Sequence, residues 1–267
     1  MLKILKKMKK LVIVVLALLF SQFTFANDAD WGKTGHRTTG EIAQVHLSKK
    51  AKRAIDKLLE GHTLAFVANH GDDIKSDPSY RKYSPWHYVN IDPEVSKYDP
   101  ETASEDGDLV MGIRKCIEVL KNKNSSKEDK QFHLKMLVHF VGDLHQPFHV
   151  GHAADMGGNK VDVEWFGKKT NIHSVWDSKM IDSYQMSYTE LAENRDELNK
   201  HQVKAIEKGD LLDWVYESRT LAEKLYKSVE EDNDLGYRYM YEWFPTLRQQ
   251  LQKGGIRLAK VLNEIYG

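Results

Sequence analysis

The sequence contains little cysteine, little proline and no excess of charge of either sign. Cys116 is the one cysteine in 267 residues, so the chain can form no intramolecular disulfide. Six prolines and a hydrophobic content of 41% exclude a disordered or collagen-like chain and favour a sizeable globular core. The 39 basic residues equal the 39 acidic residues in number, which argues against a basic protein that coats nucleic acid and against an acidic tail protein.

Long hydrophobic runs are also absent, with one short exception near the N-terminus. Residues 11–20 are all apolar, but a membrane-spanning helix needs roughly 20 such residues. Five lysines precede this run, and a short polar stretch leads from it to Ala26, a small residue suited to signal-peptide cleavage. We therefore predict a signal peptide over residues 1–26 and an exported mature chain, residues 27–267, in the periplasm or outside the cell, with no membrane span. An uncleaved N-terminal anchor is the alternative.

The rest of the chain has the apolar spacing of amphipathic helices. Ser48 is a typical N-cap for the segment that follows it, and helical spacing recurs in residues 105–123, in residues 126–145 and in three stretches after residue 186. Residues 160–172 alternate around a glycine, which predicts one short β-hairpin. Residues 76–104 hold most of the prolines and are predicted to form a long ordered loop. The simplest fold is all-α, a single-domain helical bundle over residues 27–267 with that hairpin.

The chain has twelve histidines, and four of them lie within residues 139–152. His139 and Asp143 are four residues apart on a predicted helix, so their side chains face the same way, roughly 6 Å apart. His149 follows shortly after, and His173 and Asp177 repeat the four-residue spacing. Imidazole and carboxylate groups are ligands that suit zinc. Because helical His–Asp pairs also occur on solvated surfaces, one pair alone would be weak support for a metal site.

Three other segments carry the same residue types. Trp31 and His36 stand in WGKTGH, Asp72 and Lys75 in HGDDIK, and His87 in HYVN. Taken singly, each has a structural alternative: His36 could begin a helix, Asp72 could sit in a turn, and His87 could be an ordinary loop histidine.

Together these motifs resemble those of the zinc-dependent S1/P1 nucleases, the single-strand-specific nucleases of fungi, plants and bacteria. The matching motifs are WGxxGH at 31–36, xxDxxK at 70–75, HYVN at 87–90, HFVGDLHQPFH at 139–149, GGNK at 157–160 and HSVWD at 173–177. Their order and spacing agree with that family. The resemblance implies the all-α fold of the phospholipase C/P1 nuclease type, with three zinc ions at the bottom of a cleft.

The resemblance also implies which residues bind the three ions. The first zinc would have Asp72, His87, His139 and Asp143 as ligands, the second His149, His173 and Asp177, and the third Trp31, His36 and the bridging Asp143. His145 is expected in the surroundings of the site, and four histidines match no motif: His46, His62, His133 and His201. In well-known members of the family the tryptophan is the mature N-terminus and its amino group binds zinc. Cleavage after Ala26 would instead leave Trp31 an amide nitrogen, a poor ligand.

The activity implied by the resemblance is hydrolysis of phosphodiester bonds in single-stranded DNA and RNA to 5′-phosphate products, with 3′-nucleotidase activity. Asp72 would orient the attacking water and Lys75 would stabilise charge on the phosphate. Tyr88 would stack on a base and Asn90 would contact the base edge. Lys75 as a plain surface lysine and Tyr88 as an ordinary packing residue are the alternatives. The expected partner is a single-stranded nucleic acid or a 3′-nucleotide, and no stable protein partner is implied.

Three other functions compete with this prediction. The zinc-dependent phospholipases C share the framework, but they have a glutamate where this chain has Asp177. A non-catalytic zinc-binding protein of the envelope would fill every coordination position with protein ligands, whereas three-ligand sites leave room for water. A purely structural helical bundle gives no reason for histidines and aspartates to converge from five segments.

Overall fold

Helices make up most of the part of the chain that the computed structural model describes, residues 32–95 and 97–267. Trp31 and the predicted signal peptide lie outside these residues. The α-helices are α1 (Lys33–His46), α2 (Lys49–Leu58), α3 (Leu64–Val67), α4 (His70–Asp73), α5 (Leu109–Lys121), α6 (Lys127–Leu144), α7 (Ile172–Ser174), α8 (Met180–Tyr184), α9 (Tyr188–Glu193), α10 (Lys200–Ile206), α11 (Leu211–Lys227) and α12 (Tyr237–Tyr266). The prediction of an all-α fold is confirmed.

Side-chain caps set the starts of two predicted helices. The Ser48 hydroxyl accepts a hydrogen bond from the Ala51 amide at 3.1 Å, which begins α2. The Ser126 hydroxyl accepts one from the Asp129 amide at 3.0 Å, which begins α6. Pro147 lies shortly after the end of α6 and opens a 3₁₀ helix over Pro147–Val150, as a residue that cannot continue an α-helix should.

The long loop predicted over residues 76–104 is wrong in part. This stretch contains 3₁₀ helices at Pro78–His87 and Pro100–Thr102, and a further 3₁₀ helix, Ile74–Ser76, precedes them. Pro78 and Pro100 are the first residues of their helices, where the missing N–H of proline costs no hydrogen bond. Pro78 and Pro100 therefore begin short helical turns.

The predicted hairpin is present as β1 (Asp162–Trp165) and β2 (Lys168–Asn171), with Asp162 opposite Asn171. Phe166 and Gly167 form its turn, both with positive φ, as a tight two-residue hairpin turn requires. A third strand, β3 (Asp234–Leu235), pairs in parallel with β1 and was not predicted.

Two clusters of buried apolar side chains meet at the histidine-rich segments. The first is built mainly from α2, α5, α6 and the end of α12. The second contains β1, residues 172–181, α11 and the start of α12. The 30-residue α12 contributes to both: Leu251 packs in the second cluster and Leu258 in the first. His149 lies where the two clusters meet, since Phe148 packs in the second and Val150 in the first. Within the described residues, every helix is too short or too polar to span a membrane.

Candidate metal centre

Four elements bring the first group of predicted ligands together around Asp143. His139 and Asp143 lie one turn apart on α6 and have no exposed surface. The Nε2 atom of His139 is 3.3 Å from Asp143 Oδ2 and 3.2 Å from Oδ1 of Asp72, which α4 supplies. The Nδ1 atom of His87, at the end of a 3₁₀ helix, is 3.0 Å from Asp143 Oδ2. His36 on α1 completes the group, with Nε2 3.4 Å from Asp143 Oδ1.

The second group consists of His149, His173 and Asp177. The rings of His149 and His173 have centroids 5.1 Å apart, and the Nε2 atom of His149 is 3.7 Å from Asp177 Oδ1. All three side chains are buried. Asp143 links the two groups, because its Oδ1 is 3.5 Å from the Nδ1 atom of His149.

Three sets of side chains among the described residues have nitrogen and oxygen atoms close enough to hold a metal ion, within 4.8 Å of one another: His36, His139 and Asp143; Asp72, His87 and His139; and His149, His173 and Asp177. His139 belongs to two of these sets. Its Nδ1 faces a backbone carbonyl, so only Nε2 can bind a metal, and one nitrogen binds one ion. His139 can therefore bind the ion of only one of the first two sets. Asp143 has two carboxylate oxygens, so it is the residue that two ions can share.

Backbone carbonyls orient three of the histidines. In each, Nδ1 lies within hydrogen-bond distance of a carbonyl oxygen. The pairs are His139 with Ala68 at 2.7 Å, His149 with His87 at 2.6 Å, and His173 with Gly157 at 2.6 Å. A carbonyl only accepts, so Nδ1 must donate. This leaves Nε2 as the coordinating atom, the arrangement that commonly holds metal-binding histidines in place.

Buried polar atoms without hydrogen bonds test whether the group suits a metal. Both carboxylate oxygens of Asp143, one of Asp177 and both ring nitrogens of His36 are buried and have no hydrogen-bond partner among the described residues. Each such atom costs about 1–3 kcal/mol if nothing else satisfies it. Nitrogen and oxygen donors in sets of three fit zinc, so the residues present fit the metal that the motifs imply.

Two glycines allow the backbone to approach the ligand rings. A Cβ atom on Gly71 would lie 2.4 Å from His139 Cδ2, and one on Gly142 would lie 2.7 Å from His36 Nδ1. No side chain fits at either position. Sequence reasoning missed these roles, although each glycine directly precedes a predicted aspartate ligand.

The remaining predicted site residues lie beside these groups. The Lys75 ammonium is 3.1 Å from Asp72 Oδ1. Tyr88 and Asn90 are exposed on either side of the buried Val89, whose amide donates to the His149 carbonyl at 2.8 Å. Because alternate residues of an extended segment face the same way, Tyr88 and Asn90 share one exposed face.

Comparison with known proteins gives the family of this chain. The family model described as S1/P1 Nuclease matches residues 31–267. The chain belongs to the S1/P1 nuclease family. Endonuclease 2 of Arabidopsis thaliana is 31% identical over 96% of this chain and 97% of that protein. Nuclease P1 of Penicillium citrinum is 27% identical over 89% of this chain and 98% of that protein.

The chain is also similar to solved structures. The alpha-toxin of an avian strain of Clostridium perfringens covers 90% of this chain and 65% of its own, with 16% identity and a TM-score of 0.49, too low to bear on function. The family match confirms the resemblance that the motifs predicted. The protein is a nuclease, a hydrolase that acts on phosphodiester bonds, and its family implies zinc.

Burial and neighbouring charges shift the pKa values of the site residues in opposite directions. Burial disfavours the charged form of His139, but Asp143 and Asp72 outweigh it and raise the pKa of His139 to about 9. Burial would raise the pKa of Asp143, yet His139 and His149 hold that pKa well below its usual range. For His87, burial outweighs Asp143 and lowers the pKa to about 3. Asp143 therefore stays ionised, as a metal-bridging carboxylate must.

Two neighbours in sequence, His145 and Gln146, have different roles. His145 was expected in the surroundings of the site, but its Nδ1 donates to the Val141 carbonyl at 2.8 Å and its Nε2 lies 3.1 Å from Arg257. It connects α6 to α12 and belongs to none of the three sets. Gln146, which sequence reasoning missed, is buried and donates from Nε2 to Asp177 Oδ1 at 3.1 Å. The histidines that matched no motif also lie outside the three sets: His46, His62, His133 and His201.

Proposed function

We propose that this nuclease is a zinc-dependent endonuclease that cleaves single-stranded DNA and RNA to 5′-phosphate products and also has 3′-nucleotidase activity. The observation that carries the proposal is the position of Asp143. Its carboxylate lies within 3.0–3.5 Å of ring nitrogens of His36, His87, His139 and His149. A carboxylate shared between neighbouring sets of ligands suits a close pair of metal ions, the arrangement that phosphodiester hydrolysis uses.

The proposed ligands combine these three sets of side chains with the roles that the family's motifs imply. One zinc ion would be held by Asp72, His87, His139 and Asp143; a second by His149, His173 and Asp177; and a third by His36 and Asp143 together with Trp31. Each set has nitrogen and oxygen donors only, as zinc accepts. We also propose export through residues 1–26, which places the enzyme in the periplasm or outside the cell.

Bound zinc would lower the pKa of water from 15.7 to about 7 and offset negative charge on the phosphate. The protein's own groups do the rest. Asp72 accepts a hydrogen bond from the attacking water and orients it. Lys75, 3.1 Å from Asp72, donates to a phosphate oxygen as charge builds up on it.

The exposed face of Tyr88 and Asn90 would bind the base. Tyr88 is 45% exposed, so its ring is available for stacking. Stacking on an aromatic ring is worth about 1–3 kcal/mol per base and tolerates any base. Since a base must leave its duplex neighbours before it can stack on protein, this contact favours single strands. Asn90, on the same face, can donate to and accept from the base edge.

The test is a comparison of substrates with the purified protein. We expect cleavage of single-stranded DNA and RNA, slow cleavage of duplex DNA, loss of activity in a chelator and recovery on addition of zinc. Analysis of the cut ends should show 5′-phosphates, and release of phosphate from a 3′-nucleotide reports the nucleotidase activity. Hydrolysis of phosphatidylcholine with single strands left intact would contradict the proposal.

A further inference from the structure

A small basic pocket lies next to the metal-binding sets, separate from Lys75, Tyr88 and Asn90. It is a cavity of about 200 Å³ between α1, α3, α4 and α6. Its lining includes Lys33, Arg37, Phe66, Asn69, Asp73 and Lys135. The volume is below the ~300–1,000 Å³ typical of small-molecule sites, which suits one group of a larger ligand.

The charge of the basic pocket is unbalanced. Three cations, Lys33, Arg37 and Lys135, face one carboxylate, that of Asp73. Among the described residues, no carboxylate oxygen forms an ion pair with any of these cations within 4.0 Å. Lys33 and Arg37 are exposed, so this positive charge is accessible to a ligand, and arginine with lysine is the usual combination for phosphate.

A buried amide holds the arginine of the pocket in place. Asn69 is 3% exposed. In the amide orientation that satisfies both neighbours, it donates to the Lys33 carbonyl at 3.3 Å and accepts from Arg37 Nε at 3.2 Å. The Arg37 guanidinium also lies 5.8 Å from the ring centre of Tyr188. Both contacts restrict Arg37 before a ligand arrives, so less entropy is lost on binding.

An aromatic ring stands on the rim of the basic pocket. Phe66 is 64% exposed, although it is one of the largest apolar side chains. One face of its ring stacks on His62, with centroids 4.5 Å apart and planes 13° apart. A cation-lined cavity beside an exposed aromatic ring is the combination that single-stranded nucleic acids bind, with phosphate on the cations and a base on the ring.

The basic pocket adjoins the metal-binding sets through shared backbone. Lys33 and Arg37 flank His36 on α1, and Lys135 lies one turn before His139 on α6. Two consecutive residues contact both sites: the Ala68 carbonyl accepts a hydrogen bond from His139, and Asn69 lines the basic pocket. Lining residues of the pocket therefore lie within one helical turn of metal-ligand positions on both α1 and α6.

We propose that the basic pocket binds a phosphate group of the substrate strand away from the bond that is cut, while Phe66 stacks on the neighbouring base. The proposal rests on the proposed function, because it extends the binding of single strands at the same site. It predicts that long strands bind more tightly than short ones, because only long strands reach the basic pocket and Phe66, which are not metal ligands.

The test compares two substrates with the zinc-loaded enzyme: a dinucleotide and a single strand of roughly twelve nucleotides, within the range of known single-strand site sizes. For the double variant Lys33→Gln, Arg37→Gln, we expect KM for the long strand to rise about tenfold relative to KM for the dinucleotide. The dependence of log(kcat/KM) on log salt for the long strand should become shallower by about 0.7 for each phosphate that the variant no longer neutralises. The matched control is Lys52→Gln, Arg53→Gln, which removes the same charges from exposed positions on α2.

Phe66 gives a second test that leaves the charge unchanged. Phe66→Ala should raise KM for the long strand with the salt dependence unaltered, and Phe66→Trp should restore KM. Equal effects of the double variant and its control, or equal effects on both substrates, would overturn the proposal. A wild-type enzyme that cuts neither substrate would contradict the proposed function itself. A wild-type enzyme that cuts both, with pocket variants that leave KM unchanged, would contradict only the role of the pocket.

Discussion

The Nε2 atom of His139 lies 3.3 Å from Oδ2 of Asp143, one turn along the same buried helix. Both side chains are fully buried, so neither reaches water to satisfy its polar atoms. A buried imidazole and carboxylate at this spacing either form an ion pair or share a metal, and the three surrounding sets of side chains favour the metal.

Gly142 should tolerate no side chain. In Gly142→Ala, the new Cβ would lie 2.7 Å from His36 Nδ1, so α1 and α6 must separate or the ring must turn. We expect a loss of about 1–3 kcal/mol in the free energy of unfolding, measured by denaturant titration, together with weaker zinc binding. Gly236→Ala is the control, because its Cβ would have no contact closer than 3.6 Å. Equal stability of the two variants would contradict the close approach.

Gln146 should act on zinc through Asp177. Its amide donates to Asp177 Oδ1 at 3.1 Å, and loss of such a partner usually weakens metal binding about 10–100-fold. We expect Gln146→Ala to lower zinc affinity by that factor in a competition titration with a chelator. Gln131→Ala removes a similar amide, which donates to the Leu58 carbonyl, and should leave zinc affinity unchanged. An unchanged affinity in both variants would show that Asp177 needs no support from Gln146.

Much of the centre follows from helical geometry, and the rest depends on neighbours distant in sequence. The four-residue spacing of His139 and Asp143 puts both on one face, and this was predictable. Gln146 has no periodic signal, since its role depends on Asp177, 31 positions away. Gly71 matters only because the His139 ring packs against it.

The fold shows the same division. The hairpin at residues 162–171 was predictable from alternation around a glycine. β3 is only two residues long, too short to carry a pattern, and forms because β1 offers it an edge. The 3₁₀ helix Pro78–His87 was missed because prolines indicate breaks and loops more often than helices.

The Cys116 thiol should be unreactive towards thiol reagents in the folded enzyme. It is fully buried, and burial raises the pKa of its thiol well above the usual range. A raised pKa keeps the thiol protonated, so raising the pH from 7 to 9 should not speed its reaction with a thiol reagent. We expect labelling only after addition of denaturant. Fast labelling of the native protein that increases with pH would contradict this burial.

The mass of the exported protein tests the signal-peptide prediction. Cleavage after Ala26 predicts a mature chain that begins at Asn27. Intact-mass measurement of protein recovered from outside the cytoplasm should show this N-terminus. A chain that begins at Trp31 would contradict this cleavage point, and its free amino group would be available to the third zinc.

The zinc content of the Asp143→Asn variant, measured together with its activity, shows whether two metal ions share the Asp143 carboxylate. Asp106→Asn is the matched control, an exposed aspartate whose side chain belongs to none of the metal-binding sets. If Asp143 is shared by two ions, the variant should keep only the zinc of the His149, His173 and Asp177 set and lose at least about 100-fold in kcat/KM on single-stranded DNA. The control should bind as much zinc as the wild-type protein and cut at the wild-type rate. Wild-type zinc content and wild-type cleavage in Asp143→Asn would show that Asp143 holds no shared metal ions.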